Sequence, residues 1–117
     1  MSDTLVARAL ARLTRIPGVK GAMIVDAEAG VPVASDLTRE VAETALAALA
    51  GSLFRRTQDA STASGLGRVR TLQLETREGH LFVAGAGALL VIALAEPAAQ
   101  LGMVRIEAAR AAGDLNA

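Results

Sequence analysis

The sequence predicts an α+β fold in which one five-stranded antiparallel sheet carries helices on both faces, as an α/β/α sandwich. The first observation is the order of the elements, which residue periodicity gives as α-β-β-α-β-β-β-α. The second is that each consecutive pair of strands is separated by a short turn, and short turns join antiparallel strands. The third is size, because 117 residues fit one domain of about 100–150 residues. Residues 1–117 are therefore expected to form a single domain.

The first three elements follow from apolar spacing and from proline. Residues 5–16 have the one-sided apolar spacing of an amphipathic helix, which Pro17 and Gly18 end. Residues 19–26 include a continuous apolar run, typical of a strand that is buried on both faces. A turn leads from there to a second strand, which contains Pro32. Because proline has no N–H to donate, this second strand is expected at an edge of the sheet, or to start at Pro32.

A long helix is predicted to begin at Asp36 or Thr38 and to run to about Ser64, just before Gly65. Its first half is rich in alanine and leucine over more than one narrow stripe. Small residues there would let a second helix approach closely. After Phe54 the helix becomes polar on every side, so its two halves are expected to have different roles.

The last four elements are three strands and a helix. Leu72 and Leu74 alternate with polar residues, which predicts a half-exposed strand. The two strands that follow it are strongly apolar and are interpreted as a central hairpin. The predicted bounds are 68–76, 80–84 and 88–94 for the strands, and from about Pro97 to Gly113 for the helix.

Composition excludes several classes of function. Twelve basic residues balance twelve acidic ones, and Phe54 and Phe82 are the only aromatic residues, so nucleic-acid binding is disfavoured. There is no cysteine, which excludes disulfides, cysteine-ligated metals and thiol nucleophiles. The longest apolar stretch has 15 residues, against about 20 for a membrane-spanning helix. We expect a cytoplasmic protein without a signal peptide and without direct membrane insertion.

No catalytic or cofactor motif stands out. His80, the single histidine, is expected to be a polar residue at the start of a strand and not a catalytic group. Glu40 and Glu43 are expected to be a solvated pair in the first turn of the long helix. The glycine clusters at residues 65–67 and 85–87 are interpreted as turns, because neither opens a helix as a phosphate cradle does. We therefore expect no enzymatic activity, no cofactor and no metal.

The class of function that remains after these exclusions is an interaction module, a domain that acts by binding other proteins. The alanine-rich face of the long helix is too broad for the chain's own core, and residues 68–76 have the alternation of an edge strand. A two-fold dimer would pair helix with helix and extend the sheet from strand to strand.

Segments along most of the chain, between residues 5 and 115, resemble the roadblock-type dynein light chain family. The segments that carry the resemblance are residues 13–22 (LTRIPGVKGA), 24–26 (IVD), 30–35 (GVPVAS), 79–83 (GHLFV) and 101–105 (LGMVR). The resemblance implies a long helix on one face of the sheet, terminal helices on the other, and a homodimer formed through the long helix and the third strand. The interface residues expected on this basis are Ala45, Leu49, Ser52, Leu53, Val69 and Thr71.

Bacterial members of this family resemble regulators or scaffolds of Ras-like small GTPases. The resemblance therefore implies a small GTPase as partner, with the polar end of the long helix as its docking surface. The expected docking residues are Arg55, Arg56 and Asp59, with neither arginine acting as an arginine finger.

Two alternatives stay open at this point. Profilin-like sandwiches also serve as sensor domains that hold a small ligand between sheet and helix, although few polar groups converge in this sequence to orient one. The chain could also be a passive structural adaptor.

Overall fold

The structure is a computed structural model that describes residues 3–116. These residues form three helices and five strands in the predicted order α-β-β-α-β-β-β-α. Their bounds are α1 Asp3–Thr14, β1 Val19–Asp26, β2 Pro32–Leu37, α2 Glu43–Ala63, β3 Thr71–Thr76, β4 Gly79–Ala86, β5 Leu89–Ala95 and α3 Leu101–Asn116. The predicted fold class is confirmed.

All neighbouring strands of the sheet are antiparallel, in the order β2-β1-β5-β4-β3. The apolar strands β1, β5 and β4 occupy the interior of the sheet. There Ile92 of β5 lies between Met23 of β1 and Val83 of β4. Strand β2 is an edge strand and starts at Pro32, as expected for a residue that cannot donate to a ladder. Strand β3 forms the other edge.

Each face of the sheet carries its own core. On one face α1 and α3 cover residues such as Ile24 and Phe82, with Leu13 and Val104 filling the space between. On the opposite face α2 covers the side of the sheet that includes Val25. Within residues 43–63, α2 buries only the small residues Ala47, Ala50 and Gly51. The α2 face is therefore the thinner of the two cores.

The start of α2 differs from the prediction. The chain continues β2 through Asp36, which lies opposite Ala22, and the helix begins only at Glu43. Pairing with β1 outweighs the local preference of Asp36 for a helix start. Glu40 therefore precedes the helix and forms no first-turn pair with Glu43. Hydrogen bonds from its own backbone and from the Thr38 side chain lower the pKa of the Glu40 carboxyl.

The bounds of the last helix also differ from the prediction. Pro97 lies in a turn that precedes the helix, and α3 begins only at Leu101. The N–H of the preceding residue, Glu96, donates to the carbonyl oxygen of Gly18 at 2.7 Å and so ties this turn to the start of β1. Gly113 lies inside the helix and does not end it, because Leu115 beyond it is buried in the core. Burial of a leucine, worth about 1.5–3 kcal/mol, outweighs the cost of about 1 kcal/mol for a helical glycine.

His80 lies next to Gly79 at the start of β4, as expected for a polar residue at a strand end, but it is only 5% exposed. Strand β4 lies inside the sheet, between β5 and β3, and all of its residues except Gly85 are buried. The imidazole Nδ1 has no hydrogen-bond partner within residues 3–116, and the ring lies 6.4 Å from that of Phe82. His80 is therefore part of the core.

Candidate interaction surface

One side of α2 faces the edge strand β3. Leu46, Leu49, Leu53, Thr57, Ala60 and Ser64 are spaced by three or four residues and so share one side of the helix. We call this set the α2 stripe. Leu46 and Leu49 line a cavity shared with β3, and Thr57, Ala60 and Ser64 line a groove shared with the segment that leads into β3. The stripe is therefore an extended apolar and small-residue surface beside an open sheet edge.

The cavity at the start of the stripe is strongly apolar. It has a volume of about 220 Å³ and its lining includes Leu46, Leu49, Leu74, Leu81 and Leu94. We call it the leucine cavity. It is only partly covered, since Leu49 is 48% exposed. Apolar side chains left open in this way are typical of a surface that another protein or ligand covers.

The structure brings together four of the six residues predicted for the interface. Leu49 and Leu53 belong to the α2 stripe, and Val69 and Thr71 lie across the groove from it. Val69 precedes β3, contrary to the predicted strand start at residue 68, because its N–H donates to Oε1 of Gln58 at 2.9 Å and not to a strand.

Ala45 and Ser52 are spaced by seven residues and lie farther round the helix, on the face that Arg56 shares. They are therefore beside the α2 stripe and not within it.

Leu46, Leu72 and Leu74 also belong to this surface, although the sequence did not predict them there. Leu72 and Leu74 are half-buried and point to the same face of the sheet as α2, as their alternation predicted. The signal available in the sequence was the pair of leucines on a predicted edge strand. The side chains of an edge strand are less completely covered by the rest of the fold, so apolar residues there indicate a contact surface.

The other side of α2 contacts the turn between β1 and β2. Arg55 Nη1 donates to the carbonyl oxygens of Ala27 at 3.1 Å and Glu28 at 3.0 Å. One turn earlier, a Cβ on Gly51 would lie 3.0 Å from the Cα of Gly30, so glycine allows helix and turn to touch. Gly51 thus serves this contact and not the approach of a second helix.

A groove of about 540 Å³ opens beside this contact, where α2 meets the turns at residues 26–28 and 87–88. Its lining includes Phe54, Arg55, Asp59 and Arg68. We call it the Arg55 groove. The two turns are joined by the Ala27 N–H, which donates to the carbonyl oxygen of Ala88 at 2.9 Å. The groove is therefore built on a fixed backbone and has charged side chains of both signs at its surface.

The three predicted docking residues differ in their surroundings. Arg55 and Asp59 line the Arg55 groove, whereas Arg56 lies on the outer face of α2. Arg55 is already bonded to two carbonyl groups. Arg56 and Asp59 are exposed and have no hydrogen bond or ion pair with the residues from 3 to 116. Arg56 and Asp59 can thus bind a partner without first giving up a contact.

The described part of the chain contains no group of three or more histidine, aspartate or glutamate residues that could hold a metal ion. Within residues 3–116, every helix is too short or too polar to cross a bilayer. The features that the structure does present are surfaces: the α2 stripe with the β3 edge, and the Arg55 groove.

Comparison with known proteins assigns the family. The sequence model of the Roadblock/LC7 domain matches residues 5–95. The chain belongs to the Roadblock/LC7 domain family. This confirms the resemblance found in the sequence.

Relatives of this roadblock domain occur in archaea and bacteria. An uncharacterised protein of Methanocaldococcus jannaschii is 30% identical over 117 residues, which is 100% of this chain and 98% of the relative. Among solved structures, Myxococcus xanthus MglB has a TM-score of 0.85 at 20% identity and covers 99% of this chain and 90% of its own. An MglB with a tetrameric arrangement has a TM-score of 0.83 at 24% identity, with the same shares of 99% and 90%. These two likenesses show the shared fold.

Proposed function

We propose that this roadblock domain is a homodimer that regulates or scaffolds a Ras-like small GTPase without catalysis of its own. Family membership supports the proposal, because bacterial members of the roadblock family resemble such regulators. The observation that carries it is the α2 stripe, a surface with apolar side chains that the chain's own core leaves partly exposed, beside the open edge of β3.

Self-association is the first part of the proposal. A two-fold axis beside β3 would join the two sheets edge to edge and bring the two α2 stripes together. Leu49, Leu72 and Leu74 would then lose contact with water, and the unpaired backbone groups of β3 would gain partners. An MglB with the same fold has a tetrameric arrangement, which supports self-association of this fold.

Docking of the GTPase is the second part. Asp59 lines the Arg55 groove and Arg56 lies on the outer face of α2; both are exposed and can form ion pairs across an interface. Arg55 is the poorer candidate for direct docking, because its Nη1 is bonded to the turn between β1 and β2. That bond also argues against Arg55 as an arginine finger, which has to extend into the active site of another protein.

The experiment measures binding to purified small GTPases of the source organism, loaded with GDP or with a non-hydrolysable GTP analogue. We expect one GTPase to bind with different affinity in its two states, because a regulator shifts an equilibrium only by its differential affinity. Arg56→Glu should weaken that binding, whereas Arg8→Glu, on the opposite face of the sheet, should not. Equal affinity for both states would contradict regulation and support a passive adaptor.

The same experiment tests the absence of an arginine finger. A finger supplied in trans contributes about 10³- to 10⁵-fold in rate. Arg56→Ala should therefore not reduce GTP hydrolysis by the bound GTPase on that scale. Such a loss with binding intact would contradict the proposed role of Arg56 in docking alone.

One observation favours a second candidate, a small-ligand sensor. The leucine cavity lies between sheet and helix and has a volume of about 220 Å³. Lys20 and Glu78 supply charged groups in its lining. Thermal unfolding in the presence of short-chain aliphatic acids tests this function. A saturable rise in the unfolding temperature that Lys20→Ala abolishes would favour the sensor over the dimer.

A further inference from the structure

Leu66 is the most exposed large apolar side chain among the described residues, at 82%. It follows the C-terminus of α2 in a Schellman motif. Gly65 takes a positive φ of 79°, and its N–H donates to the carbonyl oxygen of Thr62 at 3.1 Å. Leu66 N–H donates to the carbonyl oxygen of Ser61 at 2.9 Å, which is the outer bond of the motif.

In a Schellman motif the residue at the position of Leu66 normally packs on the side chain five or six residues earlier. Here those positions hold Ser61 and Ala60, which are too small to cover a leucine. The chain itself therefore gives Leu66 no apolar contact of the usual kind, and a partner has to supply one if this leucine is to be buried.

The segment that carries Leu66 is held in place by hydrogen bonds. Ser61 Oγ donates to the carbonyl oxygen of Gly67 at 2.6 Å, and Val69 N–H donates to Oε1 of Gln58 at 2.9 Å. Leu66 is thus presented in a fixed position at one end of the α2 stripe, so little ordering cost opposes its insertion into a partner.

The opposite end of the α2 stripe carries the leucine cavity. From Leu46 to Ser64 the helix rises about 27 Å, at roughly 1.5 Å per residue. Arg55 is at the midpoint between Leu46 and Ser64 along the helix. If a two-fold axis crosses the stripe at this height, the two α2 helices are antiparallel, and Ser64 of one copy lies opposite Leu46 of the other. The projecting leucine of each copy then lies beside the open cavity of its partner.

We propose that Leu66 of each copy enters the leucine cavity of the other copy, so that two identical contacts hold the ends of the paired α2 helices. This inference rests on the proposed homodimer and adds its anchoring residue and its register. The cavity, at about 220 Å³, has room for one leucine side chain, and its leucine lining matches that side chain in polarity.

Disulfide cross-linking tests the register directly, because the natural chain has no cysteine. The double variant Leu49→Cys with Leu66→Cys should form a covalent dimer under mild oxidation. Position 49 lies about 21 Å along α2 from the end of the helix at Ala63, which Leu66 follows, so the bond can only join two copies. The matched control is Ala48→Cys with Leu66→Cys, in which position 48 faces the turn between β1 and β2 and should remain unlinked.

Dissociation of the dimer gives a second, independent readout. Leu66→Ala should raise the dimer dissociation constant by about 100-fold, because the change removes apolar contact at two sites per dimer. The same change should leave monomer stability unaltered, since Leu66 is exposed in one chain. Ile106→Ala, at a 54% exposed leucine-sized residue of α3, is the control and should leave dissociation unchanged.

The outcomes separate this inference from the proposal on which it rests. If the natural protein is a monomer, the proposed homodimer is wrong and the anchor with it. If the natural protein is a dimer, but the Leu49–Leu66 cross-link fails and Leu66→Ala dissociates like the natural chain, the anchor alone is overturned. If Leu66→Ala keeps the dimer and loses only GTPase binding, Leu66 belongs to the docking surface and the inference is likewise overturned.

Discussion

Replacing Arg55 with alanine should destabilise the fold, although Arg55 is exposed. The guanidinium Nη1 joins α2 to the turn between β1 and β2 by two hydrogen bonds, to the carbonyl oxygens of Ala27 at 3.1 Å and Glu28 at 3.0 Å. Hydrogen bonds to charged groups contribute about 1.5–3 kcal/mol when they are shielded from water. Here water can reach the released carbonyl groups, so we expect a loss of about 1 kcal/mol in the free energy of unfolding.

Urea or thermal unfolding at one fixed protein concentration measures this loss, since self-association makes apparent stability depend on concentration. For a chain of 117 residues, 1 kcal/mol corresponds to roughly 4 °C in the unfolding temperature. Arg56→Ala is the matched control, because Arg56 makes no such bond within residues 3–116 and surface changes of this kind usually stay within about 0.5 kcal/mol. Equal unfolding temperatures for the two variants would refute the anchoring role of Arg55.

Three other predictions follow from the same contacts. Gly51→Leu should lower the free energy of unfolding by about 2 kcal/mol, because the new Cβ would lie 3.0 Å from the Gly30 backbone. Gly113→Ala, which has open space around it, should raise it by about 0.5–1 kcal/mol. Urea unfolding measures both changes. His80→Ala should lower the free energy of unfolding by about 2 kcal/mol through loss of buried volume and leave binding to the purified GTPase unchanged. Isothermal calorimetry should detect no binding of GTP or ATP to the purified protein, and saturable binding would contradict a purely regulatory role.

Patterns that depend on near neighbours were predictable from the sequence. Pro32 indicated an edge strand, and the alternation of Leu72 and Leu74 indicated which side of β3 faces the core; both agree with the structure. Local signals failed where distant contacts outweighed them. Asp36 pairs with Ala22 in the sheet and does not begin a helix, and the burial of Leu115 carries α3 through a glycine.

The functional surface was predictable only in part, for the same reason. Exposure and charge identified Arg55, but its two carbonyl partners lie 28 and 27 residues away in the sequence, so its anchoring bond could not be inferred. The leucine cavity is formed by side chains from α2, β3, β4 and β5, which only the folded sheet brings together.

The central claim, a homodimer through the α2 stripe and the β3 edge, is tested most directly by light scattering of the natural chain and of Leu49→Asp at micromolar concentration. The natural chain should have twice the mass of one 11.9 kDa chain. Leu49→Asp should have the mass of one chain, because an unpaired carboxylate buried at the interface costs several kcal/mol. A natural chain with the mass of a monomer would contradict the account, and an undiminished dimer of Leu49→Asp would contradict the assigned face of α2.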